Sequence, residues 1–268
     1  MSSRALLSYD RAVDPALTDR LRAAGADPAD PPAQAWAALV AAEGERATLI
    51  DRYALEAHAR GVAPGDLPDD VRSRLTREVI EMRFDGFEVT GEVRDDPIEV
   101  ADHDPGWAGR FEEIAATLRR HLGAMALWIE HIGSTAVPGL AAKPVVDVLV
   151  VVADPGDERA FVAGIEAAGV ALRSRDEGHR YFRPPPGRPR DRQIHVCGPG
   201  TAWERDHLLF RDYLRSHPAV AARYEELKRR LAGEYRDDRI AYNEGKTGFI
   251  LDTLDDAARW ADATGWSP

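Results

Sequence analysis

The sequence predicts an α+β protein, with an all-helical N-terminal region over residues 1–92 and a small mixed β-sheet flanked by helices over residues 93–268. Three observations carry this. In the first third of the chain, apolar residues recur at helical intervals. Beyond it, short β-branched runs alternate with amphipathic helical stretches. Between the two, EVTGEVRDDPIEV has the composition of an extended segment and marks the boundary.

In the first region, DPALTDRLRAAGA opens with a capping acid, Asp14, followed by Pro15, both helix-start signals. DPADPP breaks the chain. PAQAWAALVAAEGERATLIDRYALEAHARG then places Trp36, Leu39, Val40, Leu49, Ile50 and Tyr53 on one helical stripe. Leu55 falls off that stripe, and Gly44 weakens one turn. VAPGDLP is a loop, and DDVRSRLTREVIEMRFDGF is a further helix ending near Asp85 and Gly86.

In the second region, DPGWAGRFEEIAATLRRHL is an amphipathic helix with Asp104 as cap and Pro105 in its first turn. ALWIEHI is a strand, GSTAVPGLAA a turn-rich connection, and KPVVDVLVVV a strand of the kind buried on both faces. DERAFVAGIEAAGV is a helix. RYFR and RQIHVC are two strands around the loop PPPGRPRD. Helices follow from Trp203 onward, the last near TGFILDTLDDAARWADA.

Composition narrows the function. The chain has 268 residues, 44% hydrophobic and 30% charged, as an ordinary globular protein does. A net charge of −11 argues against general nucleic-acid binding, which needs a positive surface. The single cysteine, Cys197, forms no intramolecular disulfide and fits a reducing cytosol. No apolar run reaches membrane-span length and the start has no signal-peptide core, so a cytoplasmic protein without a membrane partner is expected.

The chemistry is concentrated in EHIGSTAVPGLAAKPVVDVLVVV, Glu130 to Val152. Asp147 sits among seven aliphatic neighbours, Val145, Val146, Val148, Leu149, Val150, Val151 and Val152. A buried carboxylate must be paired, protonated or bound to a cation. Gly133, Ser134 and Thr135 follow a strand. Glycine allows close backbone approach, and the hydroxyls and amides can hold a phosphate. A tight turn after a strand is the alternative. Ser134 and Asp147 are spaced so that a phosphate-facing turn and a Mg²⁺-holding carboxylate can meet. A structural Asp paired with arginine is the other reading.

Around this pair stand His131, just before the turn, and His195, in RQIHVC, as metal ligand, proton shuttle or phosphate contact. Lys143 stands at the mouth of the acidic strand, and Lys246 opens a helix where an anion would relieve the dipole conflict. Arg183, Arg188, Arg190 and Arg192 crowd one loop, which either closes over an anion or is a solvated hairpin. Arg211 and Asp212 form a structural ion pair or a base-binding edge.

These residues resemble the signature of the GrpB-like (UPF0157) proteins. The resemblance extends to His103-Asp104-Pro105-Gly106-Trp107, Gln193 to Val196, Phe210 to Arg215, Tyr224 to Lys228 and Tyr242 to Ile250. It covers about residues 97–262 and leaves residues 1–92 outside. It implies a polymerase-β-like nucleotidyltransferase fold, in which a Gly-Ser turn precedes an acidic strand that binds Mg²⁺ and a nucleoside triphosphate. The chain departs from that pattern where a second acid belongs, because Leu149 stands two residues after Asp147 and the later strand offers His195. Some domains of that family are fused to dephospho-CoA kinase, which hints at nucleotide or CoA-related chemistry.

The expectation is therefore an enzyme that moves a nucleotidyl group from an NTP–Mg²⁺ complex to a small-molecule acceptor. Asp147 and His195 would bind metal, and Asp147, His195 and His131 would form the catalytic set. Gly133, Ser134, Thr135, Lys143, Arg211 and Lys246 would hold the nucleotide. The helical region would cover the sheet and shape the acceptor pocket. One rival is a non-catalytic nucleotide- or metabolite-binding module, supported by Leu149. Another is a partner-docking domain with the Trp36–Leu39–Val40 face exposed. Oligomeric state is not specified by the sequence.

Overall fold

Val146–Val152 organises the sheet, because its alternate side chains enter two different cores. The structure is a computed structural model and describes residues 13–83, 88–89 and 97–268. The chain divides into two compact units, Met1–Phe84 with Arg239–Leu251, and Asp85–Asp238 with Asp252–Pro268. The expected boundary at residues 92 and 93 lies outside the described residues. Arg239–Leu251, near the end of the chain, groups with the first unit.

The first unit is helical, with α1 Pro15–Ala23, α2 Pro32–Glu43, α3 Leu49–Arg60 and α4 Asp69–Arg83. Asp14 caps α1 by accepting from the Ala16 amide at 2.8 Å. The long Ala-rich stretch expected to be one helical stripe is two helices. Gly44 adopts φ 58°, open to glycine, and ends α2. Thr48 and Asp51 then form a reciprocal capping box that starts α3. Leu55, off the expected stripe, is buried because α3 packs against α2 and α4 and is covered on more than one side. Trp36 and Leu39 are also buried, so the exposed docking face expected of them is not there. The expected end of the fourth helix near Asp85 and Gly86 lies outside the described residues.

The second unit is a mixed α+β layer structure. Its strands are β1 Glu88–Val89, β2 Ala126–Ile132, β3 Val146–Val152, β4 Ala171–Arg175, β5 His179–Arg183 and β6 Arg192–Cys197. They lie in the order β1-β4-β5-β6-β3-β2, so β2 is an edge. The β3–β6 pair is parallel and the others are antiparallel. The sequence reading did not mark β4. Its sequence ALRSR has one large apolar side chain, Leu172, which packs against the main apolar core, while Arg173 and Ser174 are buried polar residues, so the strand gives no alternation signal. The helices are α5 Gly106–Leu122, α6 Glu158–Glu166, α7 Ala202–Ser216 and α8 Pro218–Glu234. Asp104 accepts from the Gly106 amide at 2.8 Å at the start of α5. The short α9, Arg239–Glu244, belongs to the first unit, and α10 is Thr247–Thr264.

On one face, Val146, Val148, Val150 and Val152 of β3 meet Phe111, Leu118 and Leu122 of α5 and Phe161 and Ile165 of α6. On the other, Leu149 and Val151 meet Ile132, Cys197 and Leu208, with Trp203 and Trp266 packed alongside. Asp147 shares this second face. No helix among the described residues is long and apolar enough to cross a membrane.

Leu118 is fully buried at the centre of the α5 core. Leu118→Ala is expected to destabilise the protein by about 2–5 kcal/mol, through lost burial and a residual cavity. Urea unfolding of the full chain measures this, and a loss below about 1 kcal/mol would contradict the packing described.

Candidate functional site

Asp147 owes its place to Gly133. The turn after β2 places Gly133 at φ 72°, in the left-handed region that favours glycine. A Cβ added there would lie 2.4 Å from Asp147 Oδ2, so the carboxylate packs directly on glycine backbone. Ser134–Ala136 follow as a 3₁₀ turn, whose first amides have no acceptor within the turn itself. A glycine–hydroxyl turn and a carboxylate are thus brought together, as the spacing in the sequence predicts.

Strand register fixes which other groups share that face. Asp147 is paired with Ile132 on β2 and Gln193 on β6, and Leu149 with Glu130 and His195. Directly paired residues share a face of the sheet, so Glu130, Gln193 and His195 lie on the Asp147 side. His195 Nε2 is 4.0 Å from Asp147 Oδ1. With its amide nitrogen toward Asp147, Gln193 donates to Oδ1 at 3.1 Å and accepts from Tyr181 Oη at 3.1 Å and Arg190 Nε at 3.2 Å. Arg190 Nη1 is buried with no hydrogen-bond partner among the described residues.

His195 belongs to an aromatic stack. Its Nδ1 is 3.0 Å from His179 Nε2. Trp203 lies against both rings, at 5.0 Å from His195 and 4.6 Å from His179 between centroids. His207 stacks on Trp203 at 3.7 Å. Burial holds the pKa of all three imidazoles below the usual range, to about 4 for His179 and well below 6.5 for His195. The rings are therefore neutral at pH 7.

The remaining sequence candidates have other positions. His131 is paired with Val148 and faces the opposite side of the sheet, stacked on Phe111 at 4.8 Å. Its Nε2 is 3.0 Å from Thr135 Oγ1, which in turn donates to the Val145 carbonyl. The Thr135 hydroxyl thus braces the turn. Because β-strand side chains alternate, His131 is not brought to Asp147. Arg211 donates to Glu130 Oε2 at 2.7 Å, to the His131 carbonyl at 3.0 Å and to both Asp212 oxygens. Burial opposes its charge, but the bonds and charges of Asp212 and Glu130 outweigh burial and raise its pKa. The ion-pair reading of Arg211 and Asp212 is the one the geometry carries. Lys143 is half-buried just before β3. Lys246 lies in the first unit, on Asn243 Oδ1 at 3.1 Å and over the Tyr242 ring.

Of the arginine loop, Arg192 folds onto Asp191 and the Ala168 carbonyl, and Arg190 onto Tyr181. Sequence reasoning missed His179, Tyr181, Gln193 and Trp203. Gln193 and His195 are two apart, so they share a face once β6 is a strand. Their pairing beside Asp147 needed the register.

An open groove of about 550 Å³ lies at the β2 edge, lined by Phe111, Ile129, Glu130, His131, Arg211 and Arg215 among others. Arg215 reaches the Ala136 carbonyl at 2.8 Å, so this groove adjoins the glycine–hydroxyl turn.

Asp147 and His195 could supply at most two protein donors to a divalent cation. They do not make a two-metal acidic triad. Leu149 is fully buried where the second acid would stand, and no cluster of three or more His, Cys, Asp or Glu among the described residues could hold a metal ion.

A family model described as GrpB protein matches residues 97–256. The chain belongs to the GrpB family. A UPF0157 protein of Pseudomonas aeruginosa is 42% identical over 177 residues, 64% of this chain and 72% of that protein. The crystal structure of the conserved protein GrpB from Enterococcus faecalis superposes with a TM-score of 0.55 at 34% identity, covering 60% of this chain and 98% of that one. A dephospho-CoA kinase of Mycobacterium leprae is 32% identical over 201 residues, 63% of this chain and 48% of the kinase. The GrpB match begins at residue 97, within the second unit.

Two outcomes are expected. Gly133→Ala is to displace Asp147 and lower stability by more than about 1 kcal/mol, from strain at positive φ and the clash; unchanged thermal unfolding would contradict the contact. His131 has its pKa pushed down from 6.5 to about 4 by burial and by Arg215 and Arg211. It is neutral when folded and takes a proton on unfolding below pH 6.5, so its contribution is complete above 6.5 and is lost as pH falls toward 4. His131→Phe should flatten the fall in stability between those pH values by about 1.4 kcal/mol per pH unit. Urea midpoints across that range measure it, and parallel pH profiles for the two proteins would overturn it.

Proposed function

We propose that this GrpB protein is a metal-dependent nucleotidyltransferase that moves a nucleotidyl group from a nucleoside triphosphate to a small-molecule acceptor. The observation that carries the reading is the Asp147 carboxylate seated on the Gly133 turn. Asp147 and His195 would hold one divalent cation, Mg²⁺ by the sequence expectation. When bound, that ion neutralises charge on the phosphates. The Ser134 hydroxyl and the first amides of the 3₁₀ turn hold phosphate oxygens, and Lys143 adds positive charge at the start of β3. Gln193, backed by Tyr181 and Arg190, fixes the orientation of the Asp147 carboxylate.

The acceptor is assigned to the β2-edge groove. Its volume is in the range of small-molecule sites, and two of its lining residues, His131 and Arg215, touch the phosphate-holding turn. In the reaction the acceptor's oxygen bonds to the α-phosphorus and pyrophosphate leaves. The partners are thus a nucleotide and a small acceptor, with no nucleic acid, in the cytoplasm. The likeness to a protein named dephospho-CoA kinase supports nucleotide chemistry in the same setting.

One observation favours a second reading. The apolar Leu149, fully buried, removes the second carboxylate, and a site with one acid suits a nucleotide-binding module that does not turn over.

Incubation with each triphosphate, Mg²⁺ or Mn²⁺ and a metabolite extract, read by mass for a nucleotidylated product, separates the two. Asp147→Asn is expected to lower product formation at least about 100-fold, the scale of removing a principal electrostatic group. Product formation unchanged in Asp147→Asn would sink the assignment. Calorimetric binding of nucleotide without any product would establish the binding module instead.

A further inference from the structure

The groove at the β2 edge is lined by a donor fork and an acceptor that the fold leaves open. A guanidinium carries five N–H groups. In Arg215, Nε and Nη2 donate to the Ala136 carbonyl at 3.0 and 2.8 Å, and Nη1 donates to Asp212 Oδ1 at 3.1 Å. One N–H on each Nη is left without an acceptor among the described residues. The fork is thus fixed in the groove wall with two donors to spare. Glu130, on the same wall, meets Arg211 Nη1 through Oε2 at 2.7 Å. Its Oε1 has no hydrogen-bond partner among the described residues. Asp212 offers nothing further. Its Oδ1 accepts from Arg211 Nε and Arg215 Nη1, and its Oδ2 from Arg211 Nη2 and Trp266 Nε1.

Charge on this wall is balanced, with Arg211 and Arg215 against Glu130 and Asp212. The Glu112–Arg119 pair on the α5 rim is exposed, 66% and 54%, and water screens it. A simple anion would bring negative charge against Glu130 with no cation left over to match it. A simple amine would bring positive charge against Arg215, whose pKa is already lowered by burial and by Arg211. A ligand with one charge of each sign meets both open groups and leaves the balance unchanged. Phe111 and Ile129 give its carbon body an apolar surface.

We propose that the β2-edge groove binds a small zwitterion, an amino acid or related amino-carboxylate, with its carboxylate on the two free N–H groups of Arg215 and its ammonium on Glu130 Oε1. This names the class of the acceptor and rests on the assignment of the acceptor to this groove in the proposed function. The carboxylate lies beside the glycine–hydroxyl turn, because the same Arg215 holds the Ala136 carbonyl.

The probes are titrated into full-length ¹⁵N-labelled protein at pH 7, without nucleotide or metal, and followed by NMR at the Arg215 Nε–H and the β2 amides. L-Leucine and δ-aminovalerate present the two charges at short and long separation. Isocaproate and valerate keep only the carboxylate of each, and isoamylamine and butylamine only the ammonium. At least one zwitterion is expected to bind at least about 10-fold more tightly than both of its singly charged counterparts. Glu130→Gln, which keeps an oxygen for Arg211, should abolish the preference over the carboxylate. Arg215→Lys should weaken zwitterion and carboxylate alike, by roughly 10-fold, because the planar fork is lost. No shift at β2 with either zwitterion, singly charged counterparts that bind as tightly as both zwitterions, or a preference unchanged in Glu130→Gln would overturn the inference. Since no nucleotide is present, absence of nucleotidyl transfer would defeat the enzyme reading and leave this site standing. A nucleotidylated product formed only on acceptors without the charge pair would do the reverse.

Discussion

The second unit depends on a carboxylate resting against a backbone that has no side chain. Asp147 can occupy a strand otherwise made of aliphatic residues because Gly133 leaves room for it and because Gln193 and His195 supply polar neighbours on the same face. The Asp147 side chain is half-buried rather than fully buried, 28% exposed, and these polar neighbours offset the water contacts it loses. The turn, β3 and β6 are consequently tied to one another, and the two faces of β3 carry different duties. Val146, Val148, Val150 and Val152 close the core under α5 and α6, while Asp147 opens onto the polar face.

Charge beyond that pair is mostly engaged in bracing. Arg211 ties Glu130, the His131 carbonyl and Asp212 together, and Trp266 donates to the same Asp212. Arg215 holds the Ala136 carbonyl. These contacts fasten α7 to the edge strand and to the turn that follows it. Side chains that read as ligand contacts in a list of residues act here as struts that set the position of the glycine turn.

The fold was legible where the physics is local. β3 announces itself through a run of β-branched residues, and Asp14 and Pro15 mark a helix start. The glycine turn and Asp147 could be paired from spacing alone. What depends on long-range register was not legible. His131 and His195 look equivalent in the sequence, yet β2 and β6 turn them to opposite faces. His179 and Trp203 complete the His195 environment from β5 and α7, and no local pattern links them to β6. Gly44 was legible only as a weak turn, because a glycine's sign of φ is set by its neighbours' packing. β4 escaped notice because it is short and Leu172 is its one large apolar side chain.

The two-faced register of β3 also bears on how the gene can change length. Strand side chains alternate with a period of two, so one residue gained or lost within Val146–Val150 would turn the acid toward the α5 core and deliver a valine to the polar face. Site and core would fail in the same step. Residues 184–189, in the loop between β5 and β6 and before the contacts of Arg190 and Asp191, lie outside that register and form the stretch where length variation is best absorbed. Lineages of this domain should therefore diverge in length at that hairpin while keeping the interval between the glycine turn and the acid fixed.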